Sequence, residues 1–472
     1  MKRLLTIIFI ICLCAPAYAS VEISQGDVLT LKQCIDIAIV NSPKVNIASN
    51  NTKITKSRIG GAKSDYFPRL SANYGYSGDN TRYDDVSKSG NALGAGIGLN
   101  QLIYNFGKTR ANVNMRKFYD IASNFDLEKS VLDTAHEVKN AYYGVLAARA
   151  AKEVAKANVE INKRQFEQVS AFFEEGLKSR IDYINAQVNL TNSRIDLVTV
   201  EKTYENALSR LNSSMYITNA PVYAIKNTES FNLQEDWASV KFLNISNTAP
   251  EAAFVTEPAV HFESGSLSSK IEHTNILENY VFKPWGKAFE DALEVARANR
   301  PDLKSYAATV DAMGEFLKYT KREYFPELGA RAGYDWRNAE SKNTNTLSYS
   351  ASINLSATNI MSTKHRVDEA QAQLDNALEN LSLIEKSIYF EVQNAYVNMV
   401  QFEKQIPMTK ERVEQALENF KLADGRYSAG VGNFIELQDA RHRYVNSQHE
   451  YVKNVYDYNV ARVTLETAMG LK

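Results

Sequence analysis

The sequence predicts an α+β membrane protein, with four lipid-facing β-strands per chain carried on very long antiparallel helical hairpins. Three observations predict it. Two separate segments alternate with period two, two helical runs are too long for a compact domain, and the second half of the chain repeats the pattern of the first.

The first β-hairpin follows Phe67-Pro68. Over about residues 69–77, Leu70, Ala72, Tyr74 and Tyr76 alternate with Ser71, Asn73, Gly75 and Ser77. Over about 92–100, Leu93, Ala95, Ile97 and Leu99 alternate with Gly94, Gly96, Gly98 and Asn100. Each strand has roughly nine residues, about the length a tilted strand needs to cross a bilayer. The second hairpin follows Phe325-Pro326, with strands expected over about 327–336 and 346–355. There Ala330, Tyr334, Leu347, Tyr349, Ala351 and Ile353 form the apolar set. The alternation assigns Ser71, Asn73, Gly96, Arg331, Asp335, Ser350 and Asn354 to the lumen side and the apolar set to lipid. Polar turns are expected near Asp79–Gly90 and Asn338–Thr346. Aromatic residues near strand ends suit an interfacial belt. Four strands cannot close a barrel, and open edges are not tolerated in lipid, so several chains must pool their strands.

The chain begins as an exported protein does. Lys2 and Arg3 precede an apolar run from Leu4 to Ala15, and Ala17-Tyr18-Ala19 offers a small-x-small cleavage site, so residues 1–19 read as a signal peptide. Cys12 and Cys14 leave with it, and Cys34 alone permits no intrachain disulfide. The formal charge of -1 gives no sign of nucleic-acid binding, and removing Lys2 and Arg3 takes it to about -3.

The first structural repeat spans about 30–215. Leu31 to Val40 reads as a short amphipathic helix, and Pro43 suits the first turn of the next, which should run to about Ser64 with Gly60-Gly61 as a weak spot. Beyond Lys108 no proline occurs and Gly144 is the one glycine before Gly176, so about 65 helical residues should extend about 100 Å. Val131, Ala135, Val138, Tyr142 and Val145 step by four and three, the spacing of a coiled-coil seam. Gly176 then ends the helix, Ser179 caps the next with Asp182 at its third position, and Ile181, Ile184, Val188 and Ile195 line one face of the return helix. Residues 216–285 keep neither period and read as an irregular insert.

The second repeat spans about 286–470. Asn299-Arg300-Pro301 matches Asn41-Ser42-Pro43, and Asn394-Ala395-Tyr396 matches Asn140-Ala141-Tyr142. Ile388, Val392, Ala395, Met399, Phe402 and Ile406 form the second seam, and Gly430-Val431-Gly432-Asn433 replaces the first glycine turn. Pro407 lies inside this helix without a counterpart and is expected to bend it.

This ordered pattern resembles the TolC-like outer-membrane efflux proteins over about 30–215 and 286–470. The resemblance implies a homotrimer: one twelve-stranded β-barrel, four strands per chain, continued by an α-helical coiled-coil barrel through the periplasm. It implies an exit duct of tripartite efflux or type I secretion, working with a periplasmic adaptor and an inner-membrane transporter. It also implies a gate at the far end of the helices, with Tyr427, Glu436 and Asp439 at the matching positions and Gly430 at the turn. Where the family pattern has an arginine this chain has Gly432, and the nearby Arg426 is the candidate substitute. Tyr104-Asn105-Phe106-Gly107 matches the family's strand-to-helix joint, whereas Thr358-Asn359-Ile360-Met361 lacks its glycine.

The sequence has no phosphate loop, HExxH or nucleophile elbow, and it implies no cofactor, catalytic residue or metal site. The alternative readings are a non-conducting envelope structural or adhesion protein, and an enzyme-like periplasmic function in the insert.

Overall fold

The computed structural model describes residues 24–83, 86–226, 284–339, 342–355 and 360–471. The expected signal peptide, the interior of the insert and the residues before Ile360 in the second joint lie outside these. Strand β1 (Val28–Leu29) leads into helix α1 (Leu31–Asn41) and helix α2 (Pro43–Lys63). Thr30 and Gln33 form a capping box on α1. Ser42 caps α2, with Pro43 in its first turn, where a missing N–H costs nothing. Gly60-Gly61 does not interrupt α2.

Strands β2 (Arg69–Tyr83) and β3 (Val86–Tyr104) follow. Helix α3 (Lys108–Glu174) then runs 67 residues, and α4 (Arg180–Ser214) returns along it. Strand β4 (Ala224–Ile225) pairs parallel with β1. The Tyr142 hydroxyl donates to the Lys226 carbonyl at 2.6 Å, and Arg149 to that of Ile225 at 2.9 Å, fixing this start of the insert to α3.

The second half supplies α5 (Phe289–Asn299), α6 (Pro301–Lys321), β5 (Glu327–Ala339), β6 (Lys342–Asn354), α7 (Ile360–Ser428) and α8 (Phe434–Ala468). Its element lengths track the first half closely: 11 and 11, 21 and 21, 67 and 69, 35 and 35 helical residues. Pro407 does not end α7. The Thr409 hydroxyl donates to the carbonyls of Gln405 and Ile406 within that turn.

The strands are longer than the apolar alternation marks. β2 and β3 pair from Arg69–Asn100 to Tyr83–Val86, and β5 and β6 from Glu327–Asn354 to Ala339–Lys342. The stretches expected as polar turns are therefore mostly paired strand. Backbone hydrogen bonding continues the ladder after side chains stop facing lipid, so hydrophobicity marks the membrane zone and not the strand ends.

The four strands form one antiparallel sheet in the order β2-β3-β5-β6. The helices continue it in the same order, α2 on α3, α3 on α6 and α6 on α7. Farther from the sheet, the neighbours become α4 on α3, α3 on α8 and α8 on α7. The buried residues form two long seams. One joins Val138, Tyr142 and Val145 of α3 to Leu31 and Ile37 of α1 and to Val452 of α8. The other joins Ile388, Val392, Met399 and Ile406 of α7 to Leu437, Tyr451 and Leu465 of α8. Cys34 is buried in the first, and desolvation pushes its thiol up to about 12, which leaves it an inert core residue.

Candidate functional site

Direct cross-strand partners share a face of a sheet. The register aligns Ser71, Gly98, Gly333 and Ser348 in one row and Asn73, Gly96, Asp335 and Thr346 in another. Arg69, Asn100, Arg331 and Ser350 make a third row on the same face, and Asn354 pairs with Glu327 there. The seven residues expected at the lumen are thus on one side. Gly96 leaves room for Asp335 and Asn73, whose Oδ1 atoms close over it from both neighbouring strands and would have to move aside for a Cβ. The opposite face aligns Ala72, Ile97, Tyr334 and Leu347, and Leu70, Leu99, Ala332 and Tyr349. It is exposed in the chain, Leu70 by 73% and Tyr349 by 85%, an apolar surface that water would not tolerate and lipid would.

The far ends of the helices are two closely similar turns. After α3, Gly176 has φ +74°, its N–H donates to Phe173 O, and Leu177 N–H donates to Phe172 O. After α7, Gly430 has φ +74°, its N–H donates to Tyr427 O, and Val431 N–H donates to Arg426 O. Both are Schellman caps, where a left-handed residue satisfies the last carbonyls and glycine carries no Cβ penalty. Ser179 and Asp182 form a reciprocal capping box on α4, and Asn433 caps α8.

Tyr427 is buried between these turns. Its ring lies 5.7 Å from that of Phe434, and Lys178 Nζ sits 4.0 Å from its centroid. This cation–π contact ties the first turn to the second. Burial, with the nearby Asp182 carboxylate, pushes the phenol up to about 12, so it stays neutral at physiological pH. Its hydroxyl has no hydrogen-bond partner among the described residues of the chain. Arg426 Nη1 lies 3.7 Å from Glu436 Oε1, both largely in solvent. Asp439 is not with Tyr427. It pairs with Arg443 one turn along α8 at 2.9 Å, the i,i+4 neighbour that helix geometry favours. A Cβ at Gly432 would lie 2.7 Å from Tyr427 N and 2.8 Å from Arg426 C, so the turn as folded has no room for an arginine there.

Two further findings concern the helices near the tips. Ile181, Ile184, Val188 and Ile195 do not pack within the α3–α4 hairpin. They are exposed, Ile181 by 71%, and with Val198 they form a stripe on the outer side of α4. Arg441 is fully buried between α3 and α8, where it donates to the amide oxygens of Gln165 (2.7 Å) and Gln438, and burial lowers it to about 10. Among the described residues no cluster of His, Cys, Asp and Glu could hold a metal ion, and no helix is long and apolar enough to cross a membrane.

The model of the outer membrane efflux protein family matches residues 34–215 and 292–471, most of the chain and both halves of it. The chain belongs to the outer membrane efflux protein family. It is 23% identical over 473 residues to the outer membrane protein TolC of Escherichia coli, covering all of this chain and 87% of TolC. The outer membrane efflux protein BepC of Brucella suis is 25% identical over 213 residues, 42% of this chain and 46% of BepC. Among solved structures, CusC superposes with a TM-score of 0.74 at 13% identity, over 96% of each chain. The Campylobacter jejuni outer membrane channel CmeC gives 0.70 at 15% identity, over 93% of this chain and 85% of CmeC. As an outer membrane efflux protein the chain resides in the outer membrane and is an exit duct of an efflux system, not an enzyme. The geometry singles out two regions of this duct, the amphipathic sheet and the paired helical tips.

Lys178 is the tip residue that sequence reasoning missed. It stands in the glycine turn but 249 positions from its partner Tyr427, and no local pattern links the two.

Proposed function

We propose that three copies of this chain close a twelve-stranded barrel continued by an α-helical tunnel, each copy built by internal duplication, and that the tips form its periplasmic entrance. One observation carries this reading: every lateral edge of the chain is unfinished. Among the described residues, β2 and β6 are sheet edges with a strand on one side only. The flanking helices carry exposed apolar residues at heptad spacing. These are Ile47 and Ile54 on α2, Ile181, Val188 and Ile195 on α4, and Leu383, Phe390 and Val397 on α7. A neighbour's α7 placed against α2 and α4 would cover both stripes while the neighbour's β6 meets β2. Ring closure by lateral repetition follows, and the family resemblance selects three. Mass measurement in detergent is expected to give a trimer. A conducting monomer or dimer would sink the proposal.

The duct serves a periplasmic adaptor and an inner-membrane transporter, since the chain has no nucleotide-binding motif of its own. Drug-like molecules and secreted proteins both suit a lumen face whose residues are mostly small and neutral. At the tips, Lys178 and Tyr427 hold the entrance closed, and Glu436 with Arg426 sets the charge around it. Lys178→Ala with Tyr427→Ala should raise the open population on the order of tenfold, since a cation–π contact contributes about 0.5–2 kcal/mol. Asp439→Ala should change opening little, because its partner is Arg443 on the same helix. Glu436→Gln should weaken cation preference. Single-channel recording in a salt gradient reads all three. Unchanged open probability in the double variant rejects the Lys178–Tyr427 latch, and unchanged reversal potential in Glu436→Gln rejects the role given to Glu436.

A further inference from the structure

The chain as a whole has a formal charge of -1, but its charge is not evenly spread. Where the sheet meets the helices, residues 63–69, 108–112, 321–327 and 360–366 carry eight Lys and Arg against three Asp and Glu. Each of the three carboxylates is already taken. Asp65 pairs with Arg69, Glu327 with Lys108 at 3.1 Å, and Glu323 with Arg366 at 2.8 Å. Five cations remain with no ion pair among the described residues: Lys63, Arg110, Lys321, Arg322 and Lys364. All five are exposed. They come from four different helix ends, at the last residue of α2, the third of α3, the end of α6 with the residue that follows, and the fifth of α7.

Each cation lies within about one helical turn or two of the strands, roughly 10 Å by helical rise. The headgroup zone of one leaflet is about that thick at most. The aromatic residues at the same level fix the depth independently. Tyr66, Phe67, Tyr104, Tyr324 and Phe325 are all exposed at the joints, as an interfacial belt requires, and Arg322 lies 5.6 Å over the Phe325 ring. Apolar strand face, aromatic ring and cations without carboxylate partners therefore follow in order along the molecule, matching acyl chain, glycerol and phosphate.

We infer that the strand-to-helix junction is a basic collar that binds anionic phospholipid headgroups on the periplasmic side of the membrane. This rests on the proposed barrel, in which three copies would present fifteen such cations around one circumference, five from each. Lysine and arginine here recognise the phosphate and the net negative charge, and a zwitterionic headgroup offers the first without the second. The collar anchors the duct at a fixed depth while the helical tunnel below is engaged by its partners.

The test is lipid retention. The protein is reconstituted in phosphatidylcholine vesicles containing a minor fraction of phosphatidylglycerol, extracted in mild detergent and weighed with its bound lipids by native mass spectrometry. Retained phosphatidylglycerol is expected at least about threefold above its share in the vesicles, falling towards that share at high salt. The variant Lys63→Gln/Arg110→Gln/Lys321→Gln should lose most of the enrichment while keeping the wild-type unitary conductance. Retention at the bulk ratio by wild type, or enrichment untouched by salt, overturns the collar, and the salt series decides even where the variant does not assemble. A trimeric wild type with bulk-ratio lipid rejects the collar alone, whereas a wild type that is monomeric or dimeric in the same spectra counts against the barrel itself.

Discussion

Arginine placed at Ala351 is expected to cost the folded membrane protein about 2–4 kcal/mol, while arginine at Ser350, one residue away, is expected to fold and to change conductance. The difference follows from strand geometry, because adjacent side chains point to opposite faces. Ala351 pairs with Ala330 and shares its face with Leu347, Tyr349 and Ile353, all exposed in the single chain. It lies at the centre of the apolar run 347–355, so a guanidinium there has no nearby water and cannot easily snorkel. Ala95, paired with Tyr74 and Trp336, lies on the same apolar face, on β3. Ser350 pairs with Arg331, so a second arginine adds like-charge repulsion of about 1 kcal/mol or less. Water and salt in the lumen screen it further. Its main effect should be a narrower, less cation-selective pore. Urea titration of folding into vesicles measures the first effect, and planar-bilayer conductance the second. Equal folding defects at Ser350 and Ala351 would defeat the assignment of faces.

Much of this arrangement is written locally. Period-two alternation in 70–76 and 93–99 marks which face meets lipid, and four-three spacing in 131–145 and 388–406 marks the seams. The glycine turns are legible because only a residue tolerant of positive φ ends a helix as Gly176 and Gly430 do. The strand ends are not legible, since Asn, Ser and Thr beyond the lipid zone still join the ladder through their backbones. The stripe on α4 is legible as apolar but not as to what it meets, because periodicity gives a face and not its partner. The latch is the least legible part. Tyr427 stands out by its place beside the turn, but its contact with Lys178 exists only because two helical hairpins of nearly equal length end at the same level. Asp439 shows the converse. Its sequence position points to the gate, yet Arg443 four residues on offers a nearer partner.

Arg300→Ala is expected to produce the largest loss of stability, about 3–5 kcal/mol, because it strands a buried carboxylate. Arg300 stands where Ser42 caps α2 in the first half, and its role is different. Its Nε and Nη2 donate to Asp302 Oδ1 and Oδ2 at 2.9 and 2.5 Å, a bidentate pair whose side chains are only 8% and 9% exposed. Its Nη1 reaches Glu391 on α7 at 2.8 Å and the Ala468 carbonyl at the end of α8 at 3.1 Å. Gly470 approaches so closely that a Cβ would lie 2.9 Å from the Arg300 backbone. One side chain thus joins the start of α6, the flank of α7 and the end of α8. Glu391 is half exposed, so its share is small, and the buried Asp302 pair carries most of the effect. Burial alone would raise the Asp302 carboxyl, but the hydrogen bonds and charge of Arg300 outweigh it and hold the group below its ordinary value. A depressed carboxyl contributes its stability fully above the unfolded value near 3.8, and that stability is lost as pH falls through the lower folded value. Wild type should therefore lose this part only in strong acid. Arg300→Ala reverses the sign: Asp302, buried without its cation, titrates upward, and the variant regains some stability on mild acidification. Arg300→Met with Asp302→Leu removes both charges and should recover most of the loss, since a buried pair replaced by apolar groups of similar volume is often near neutral. Thermal unfolding followed by helical circular dichroism, at fixed protein concentration and at several pH values, separates these outcomes. A double variant as unstable as Arg300→Ala would show that packing around Arg300, and not its pairing with Asp302, holds the three helices together.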